Sequence, residues 1–353
     1  MTEIMTSTST FQFSRRRVLQ LLSGVTGGLV LHACTSPDPE GAETTPTEMM
    51  SLSVGSTVWI GLTPLFIAQD KGFFRELGLE VEFKSFGANS DYVAAFLAGQ
   101  IDAVAPVTSE VVSLAAKEKD FRIVLVEDTS IGGDGILARN RIESIEAFKG
   151  ERIAVDRGGV SHFFLLQVLE EVGLSESDVT LVNADPPSAA AAYQAGNIDI
   201  AVTYAPFMQQ ANEAQEDGRI IYDSSKMPMA IADVYAFDLE FLEANPQIAE
   251  AFVQGIFKGL SFLETNPEEG LEIAAKQFEV TPDALAADLK GIQFPDAEMN
   301  LEMLGDPQSN LYLLKSLTNL AEFLKSQGQI DTIPDLEPLL EPKFVEAVLE
   351  EGS

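Results

Sequence analysis

The chain has 353 residues, which is long enough for two domains of ordinary size. Hydrophobic residues make up 46% of it, and its net charge at pH 7 is −33. So acidic a protein is not expected to bind nucleic acid, since phosphates require a basic face. A chain with one cysteine cannot form an internal disulfide. One cysteine and two histidines are also too few for an iron–sulfur cluster or for a metal site built from several such ligands, and we expect no cofactor.

The first predicted element is an export signal at residues 1–33. Three arginines, Arg15–Arg17, precede a short apolar stretch, Val18–Leu31, and an Ala-Cys pair ends at Cys34. This order is typical of a signal peptide, and the adjacent arginines resemble a twin-arginine signal. The stretch is shorter than the ~20 residues that span a bilayer. The Leu-His-Ala-Cys ending resembles a lipobox, so we expect a lipidated Cys34 to anchor the protein outside the cytoplasm. The alternative is a buried amphipathic helix.

A tether rich in Pro, Thr and Glu follows at residues 34–50, and strand-like segments then alternate with helix-like ones. Strands are predicted at Leu52–Trp59, Leu79–Phe83, Ile101–Val104, Ile123–Val126, Arg152–Val155, Val179–Asn183 and Ile198–Val202. Helices are predicted at Pro64–Leu77, Ser90–Ala98, Val107–Lys117, Ser161–Val172 and Ser188–Ala195, and again after Asp238. This alternation predicts an α/β fold with largely parallel sheets covered by helices.

One short pattern occurs twice. Phe96–Asp102 and Tyr193–Asp199 each contain the end of a helix, an Ala-Gly pair, one polar residue and Ile-Asp before a small apolar strand. Glycine after a helix is the expected C-terminal cap. The equivalent position of both segments within a β-α-β unit indicates two lobes of the same design.

Several segments resemble one known family. Pro64–Phe74, followed by Leu77–Glu82, is similar to the first helix of the nitrate/taurine/sulfonate-type substrate-binding proteins of ABC importers. That family also includes binders of thiamine-pyrimidine precursors. Later motifs of the family are similar to Ala98–Ala103, Ile145–Val155, Ser161–Val179 and Ala195–Pro206. The resemblance covers about residues 52–265 in register.

The resemblance implies a type II periplasmic-binding-protein fold, in which two α/β lobes joined by two crossing segments close around a ligand. Lobe 1 would comprise residues 51–137 and 235–353, and lobe 2 residues 141–230. The crossings would lie near residues 136–140 and 231–237.

The resemblance also implies a function. The expected protein is a monomeric receptor, not an enzyme, that delivers a solute to an ABC permease and its ATPase and touches the membrane only through its lipid. Fungal pyrimidine-precursor synthases share this fold and are the enzymatic alternative. Their cysteine-rich iron site has no counterpart in a chain with one cysteine. The ligand-binding lobe of a membrane sensor is a third class.

Ligands of open α/β sheets bind at the carboxyl ends of strands and at helix N-termini. The predicted turns at these places supply the candidate ligand-binding residues, which are Trp59, Thr63, Asn89, Ser109, Glu110, Asp134, Ser161, His162, Asp185, Tyr204 and Asp233. Trp59, Ser161 and His162 have equally ordinary structural roles as a core residue and helix caps.

Four of these candidates are carboxylates, whereas Arg157 is the basic candidate. The expected ligand is therefore a small nitrogen-containing solute such as guanidinium or a related amine, stacked on Trp59. The Trp-Ile-Gly-Leu-Thr-Pro segment from Trp59 to Pro64 is similar to a version found in urea-carboxylase-associated and guanidine-type binders. The alternatives are an anion such as nitrate or a sulfonate, held by Arg157 and a helix N-terminus, or a thiamine-pyrimidine precursor.

Overall fold

The computed structural model describes residues 49–227 and 229–351. The predicted export signal, Cys34 and nearly all of the tether lie outside the described residues. Among the residues that are described, no helix has the length and apolar character needed to cross a membrane.

The described strands form two sheets. Their bounds are β1 Met50–Ser56, β2 Leu79–Ser85, β3 Ala103–Val104, β4 Phe121–Ser130, β5 Asp134–Arg139, β6 Arg152–Val155, β7 Thr180–Asn183, β8 Ile200–Tyr204, β9 Gly218–Asp223, β10 Ala232–Asp238 and β11 Ile292–Gln293. The first sheet has the order β11-β4-β10-β3-β1-β2, and the second has the order β7-β6-β8-β5-β9.

Helices connect and cover these strands. Their bounds are α1 Thr63–Asp70, α2 Phe73–Glu76, α3 Asn89–Leu97, α4 Thr108–Ala116, α5 Val160–Glu171, α6 Pro186–Gln194, α7 Phe207–Glu213, α8 Leu239–Ala244, α9 Pro246–Thr265, α10 Pro267–Phe278, α11 Pro282–Asp288, α12 Ala297–Gly305, α13 Leu313–Ser326 and α14 Lys343–Glu351. Each predicted strand and helix has a counterpart here, and the predicted α/β class is confirmed.

The sheets are mixed, so the expectation of largely parallel sheets was wrong. β1 runs parallel to β2 and β3, and β6 runs parallel to β7 and β8. β10 is antiparallel to β3 and β4, and β5 is antiparallel to β8 and β9. Strands β5 and β10, which enter a sheet directly after a passage, are antiparallel to their neighbours because no covering helix returns the chain to the opposite edge first. The short strand β11 is also antiparallel to β4.

The two passages between the sheets lie side by side. The first runs from Ser130, at the end of β4, to Asp134, at the start of β5, and the second runs from β9 to β10. The Oγ atoms of Ser130 and Ser224 are 2.7 Å apart, and the backbone N–H of Gly132 donates to Ser224 Oγ at 2.8 Å. The predicted crossing near residues 136–140 coincides with the second half of β5, which ends at Arg139, and the one near residues 231–237 coincides with most of β10. The lobe boundaries stay a prediction.

The core of the first sheet is rich in aromatic residues. The ring of Phe252 on α9 stacks on Phe74 with a centroid distance of 5.6 Å and meets Tyr235 and Phe237 of β10 edge-on at 4.9 and 5.6 Å. Such pairs stabilise a core beyond the area they bury. They seat the long helix α9 on the strand β10, which carries Asp233 to the site described below.

Candidate ligand-binding site

A small cavity lies where strands of both sheets end. It has about 20 Å³ of space for the centre of a water molecule, which is room for one or two waters. It is lined by Ser56, Thr57, Trp59, Asn89, Tyr92, Ala105, Val107, Asp134, Val160, Tyr204, Ile231 and Asp233. The first sheet contributes the turns after β1, β2 and β3, and the second contributes the start of β5 and the end of β8. The position agrees with the rule that ligands bind at the carboxyl ends of strands.

Five of the eleven predicted site residues line this cavity. They are Trp59, Asn89, Asp134, Tyr204 and Asp233. A sixth, Glu110, lies directly behind Asn89, whose Nδ2 donates to Glu110 Oε1 at 3.1 Å. Ser109 in turn donates to Glu110 Oε2 at 3.0 Å, so its hydroxyl supports that carboxyl group.

Three other predicted residues lie at the starts of helices. Thr63 Oγ1 donates to the carbonyl of Ile60 at 2.7 Å, at the start of α1. Asp185 caps α6 by accepting from the backbone N–H of Ser188 at 2.8 Å. Ser161 is buried in the first turn of α5 and is absent from the cavity wall. Thr63 and Asp185 thus have the local roles that positions at helix starts allow, whereas the buried hydroxyl of Ser161 has no hydrogen-bond partner among the described residues.

His162 faces a surface ion pair. Its Nδ1 accepts from the backbone N–H of Gly158 at 3.2 Å, and its Nε2 lies 3.3 Å from Glu176 Oε2. Arg157, the basic candidate, pairs with the same Glu176 at 2.7 Å, and about half of its side chain is exposed. Burial lowers the pKa of His162, so the imidazole is neutral near pH 7. Neither side chain lines the cavity.

Seven of the twelve lining residues were not among the predicted site residues, and three of the seven, Ser56, Thr57 and Tyr92, have polar side chains. Ser56 and Thr57 were assigned to a strand predicted to extend through Trp59, but β1 ends at Ser56 and places both at its carboxyl end. The polar pair Ser56-Thr57 shortly before Trp59 is the sequence signal that could have indicated an earlier end of the strand. Tyr92 lies in α3 and its apolar spacing indicates only a buried helical face.

Trp59 forms one wall of the cavity and is held from behind. Its Nε1–H donates to Asp128 Oδ2 at 2.7 Å, and the two residues are 69 positions apart in the chain. A β-carbon at Gly61 would lie 1.8 Å from Asp128 Oδ2, and one at Gly133 would lie 2.7 Å from Cη2 of the indole. The indole therefore fits in this position only because residues 61 and 133 are both glycine.

Tyr204 closes the cavity from the second sheet. Its ring meets Trp59 edge-on, with a centroid distance of 5.6 Å and an interplanar angle of 87°. Its hydroxyl donates to Thr57 Oγ1 at 3.2 Å. Both contacts join residues of the second sheet to the turn after β1. The structure therefore shows the two sheets closed over the cavity.

The cavity is acidic. Asp134 is 3% exposed, its Oδ2 has no hydrogen-bond partner among the described residues, and burial raises its pKa to about 7. Burial, followed by repulsion from Asp128, raises the pKa of Asp233 well above its ordinary value. Burial also raises the pKa of Glu110 to about 8. No arginine, lysine or histidine of the described residues lines the cavity, so no positive charge balances these carboxyl groups.

The carboxyl groups do not form a metal site. Across residues 49–227 and 229–351, no group of three or more histidine, cysteine, aspartate or glutamate side chains is arranged to hold an ion. The cavity instead combines aromatic faces with carboxylates, an arrangement that suits a small organic cation.

Comparison with known proteins identifies the family. A model of the family described as NMT1/THI5 like matches residues 59–270. The chain belongs to the NMT1/THI5-like family. The taurine-binding periplasmic protein of Escherichia coli (strain K12) is 25% identical to this NMT1/THI5-like chain over 294 residues, which cover 80% of this chain and 89% of that protein. The family resemblance predicted from the sequence is confirmed.

Solved structures identify the fold. The periplasmic aliphatic sulphonate binding protein SsuA from Escherichia coli superposes with a TM-score of 0.67 at 18% identity, covering 84% of this chain and 99% of that chain. The desulfurization enzyme DSZB superposes with a TM-score of 0.63 at 16% identity, covering 86% and 100%. The predicted periplasmic-binding-protein fold is thus confirmed for this NMT1/THI5-like chain. Because both a binding protein and an enzyme have this fold, the function must be argued from the cavity.

Proposed function

We propose that the protein is an extracytoplasmic solute-binding receptor that delivers a small nitrogen-containing cation, guanidinium or a related amine, to the permease and ATPase of an ABC importer. Three observations support this proposal. The chain belongs to the NMT1/THI5-like family, and a relative over most of its length is named a taurine-binding periplasmic protein. A cavity lies between the two sheets, where such a receptor would hold its solute.

The proposal of a cationic ligand rests mainly on the buried carboxylate of Asp134, which has no positively charged partner among the lining residues. A buried carboxylate without a partner is costly, and a bound cation offsets that cost. Trp59, Tyr204 and Tyr92 surround the same space with aromatic rings. A cation over such rings gains about 0.5 to 2 kcal/mol. A planar cation with several N–H donors would satisfy both the rings and the unpaired oxygen of Asp134, and the two sheets would move apart to admit it, since the closed cavity has room for one or two waters.

A sulfonate is the second candidate, because taurine and aliphatic sulphonates appear in the names of related proteins. A sulfonate requires N–H or O–H donors, and it is bound best by charged ones. In this cavity Ser56 Oγ already donates to the carbonyl of Ala105 at 3.0 Å, and Asn89 Nδ2 donates to Glu110. At pH 8, where Asp134 is mainly ionised, the charge of the cavity therefore favours a cation. Nitrate and a thiamine-pyrimidine precursor remain further ligands to test.

Isothermal titration calorimetry on the purified full-length protein tests the proposal. The ligands are guanidinium, methylammonium, urea, taurine, methanesulfonate, nitrate and an aminopyrimidine, each at pH 8. We expect binding of guanidinium or the amine, and a loss of at least tenfold in Asp134→Asn. Glu322→Gln, which removes an exposed carboxylate on α13, is the control and leaves affinity unchanged. Tight binding of an anion with no cation binding would replace the proposed ligand by the second candidate.

The N-terminal segment completes the proposed receptor. We propose that Cys34 carries the lipid, that residues 34–50 form the tether, and that a monomer with lobe 1 at 51–137 and 235–353 and lobe 2 at 141–230 closes around the solute. Anchoring would keep the receptor near its importer. The measurement is membrane fractionation, in which Cys34→Ala is expected to move from the membrane to the released fraction.

A further inference from the structure

We propose that Asp128, which does not line the cavity, is a positioning residue that strengthens the preference of the site for a cation by acting through the indole of Trp59. The inference rests on the proposed function and deepens it. Asp128 lies behind the wall that faces the ligand, and it is not one of the site residues predicted from the sequence.

The geometry links Asp128 to a single ring. Asp128 is fully buried on β4, and its Oδ2 accepts from Trp59 Nε1 at 2.7 Å. The indole N–H is a donor only, so this acceptor determines how the ring is seated. Its other oxygen, Oδ1, has no hydrogen-bond partner among the described residues. A side chain at Gly61 would collide with both the carboxyl group and the indole nitrogen, which shows that the turn is built around this contact.

The backbone of β4 is irregular at this point. Asp128 pairs with Asp233 of β10, whereas the next pair joins Val126 to Val234, so Glu127 is left over as a β-bulge. Bulges occur beside functional sites, where they redirect a side chain. The bulge at Glu127 is directly next to Asp128, whose carboxyl group accepts the hydrogen bond from the indole N–H of Trp59.

The chemistry follows from the sign of the charge. A carboxylate that accepts the indole N–H polarises the ring and makes its face more negative. A more negative face attracts a cation more strongly, whereas a neutral ligand of the same shape gains little. Asp128 therefore favours guanidinium over urea without touching either one.

The charge of Asp128 depends on pH. The ionisable groups that face it or lie beside it are Asp134, Asp233, Glu127 and the hydroxyl of Tyr235, and none of them is basic. Burial raises the pKa of Asp128 to about 8. The carboxyl group is therefore mainly ionised at pH 9 and mainly protonated at pH 6, where its effect on the ring becomes small.

A double-mutant cycle tests the inference. Titration calorimetry measures guanidinium and its neutral counterpart urea against the full-length wild type, Asp128→Asn, Trp59→Phe and the double variant. The asparagine keeps a carbonyl acceptor for the indole N–H but removes the charge. At pH 9 we expect Asp128→Asn to lose about tenfold in guanidinium affinity and less than about twofold in urea affinity. In the Trp59→Phe background the same change costs less than about threefold, since no N–H is left to polarise.

Two further readouts separate this role from a merely structural one. At pH 6 the difference between wild type and Asp128→Asn shrinks to less than about threefold, because the wild-type carboxyl group is then protonated. Trp59 is the single tryptophan of the chain, so unchanged quenching of its fluorescence by acrylamide in Asp128→Asn shows that the ring keeps its buried position. Should Asp128→Asn fail to fold, Asp128→Ser supplies a smaller neutral acceptor for the same measurements.

The opposing outcomes are distinct. Equal losses for guanidinium and urea would overturn the inference, because they indicate that Asp128 only maintains the structure. An effect of Asp128→Asn that persists in the Trp59→Phe background would also overturn it, because the charge would then act directly on the ligand. If the wild type binds guanidinium but Asp128→Asn binds it equally well, only this inference fails. If the wild type binds no cation, the proposed function fails as well.

Discussion

Replacing Asp134 by asparagine is expected to stabilise the ligand-free protein while weakening its binding of a cation. The side chain is buried, lines the cavity and has an oxygen atom without a partner among the described residues. Asparagine has nearly the same shape but carries no charge to desolvate. The substitution therefore removes a cost of folding, which in the wild type is offset by protonation at low pH or would be offset by a bound cation.

The magnitude follows from the pKa of this group. Burial raises the pKa of Asp134 from 3.8 to about 7, and each pKa unit corresponds to 1.36 kcal/mol. The native state holds a proton that the unfolded state releases above pH 4, so the stability of the wild type falls as the pH rises from about 4 to about 7. The upper limit of the loss is about 4 kcal/mol at pH 8. At pH 4 the same group contributes less than about 1 kcal/mol.

Thermal unfolding, followed by circular dichroism at pH 4 and pH 8, checks this prediction. Guanidinium chloride and urea are avoided as denaturants, because both resemble the proposed ligand. At about 2 °C per kcal/mol for a chain of this size, Asp134→Asn raises Tm by about 4 to 8 °C at pH 8 and by less than about 2 °C at pH 4. The exposed-site variant Glu322→Gln shows no such change. Equal Tm values of Asp134→Asn and wild type at pH 8, or an equal gain at both pH values, would refute the reasoning.

Three further substitutions test the walls of the cavity. Tyr204→Phe removes the hydroxyl that donates to Thr57, and we expect about 3- to 10-fold weaker guanidinium binding, mainly through faster release in stopped-flow fluorescence. Gly61→Ala places a β-carbon 1.8 Å from Asp128, so Tm falls by more than about 5 °C and calorimetry detects no binding. His162→Gln leaves guanidinium affinity within about twofold, because the imidazole faces away from the cavity, and a tenfold loss would contradict the described geometry.

The local patterns of the sequence predicted the elements well. The repeated helix-Gly-x-Ile-Asp pattern corresponds to α3 and α6, and both helices are followed by a glycine with positive φ, Gly99 and Gly196. Such caps and periodicities depend on residues within one or two turns of each other, so a linear sequence displays them directly. The antiparallel strands β5 and β10 were instead assigned to crossings, because a short apolar segment shows neither its partner nor its direction.

The sequence by itself determined the α/β alternation, the family and the turns in which ligand-contacting residues should lie. Only the tertiary structure decided which side chains in those turns meet. It brought Asp134 and Asp233 to one cavity, turned His162 towards Glu176, and used Asp185 as a cap. It also placed Asp128 behind Trp59, which no local pattern indicates. The physical reason is that burial and long-range contact decide whether a carboxyl group is solvated, paired or without a partner, and both depend on the whole fold.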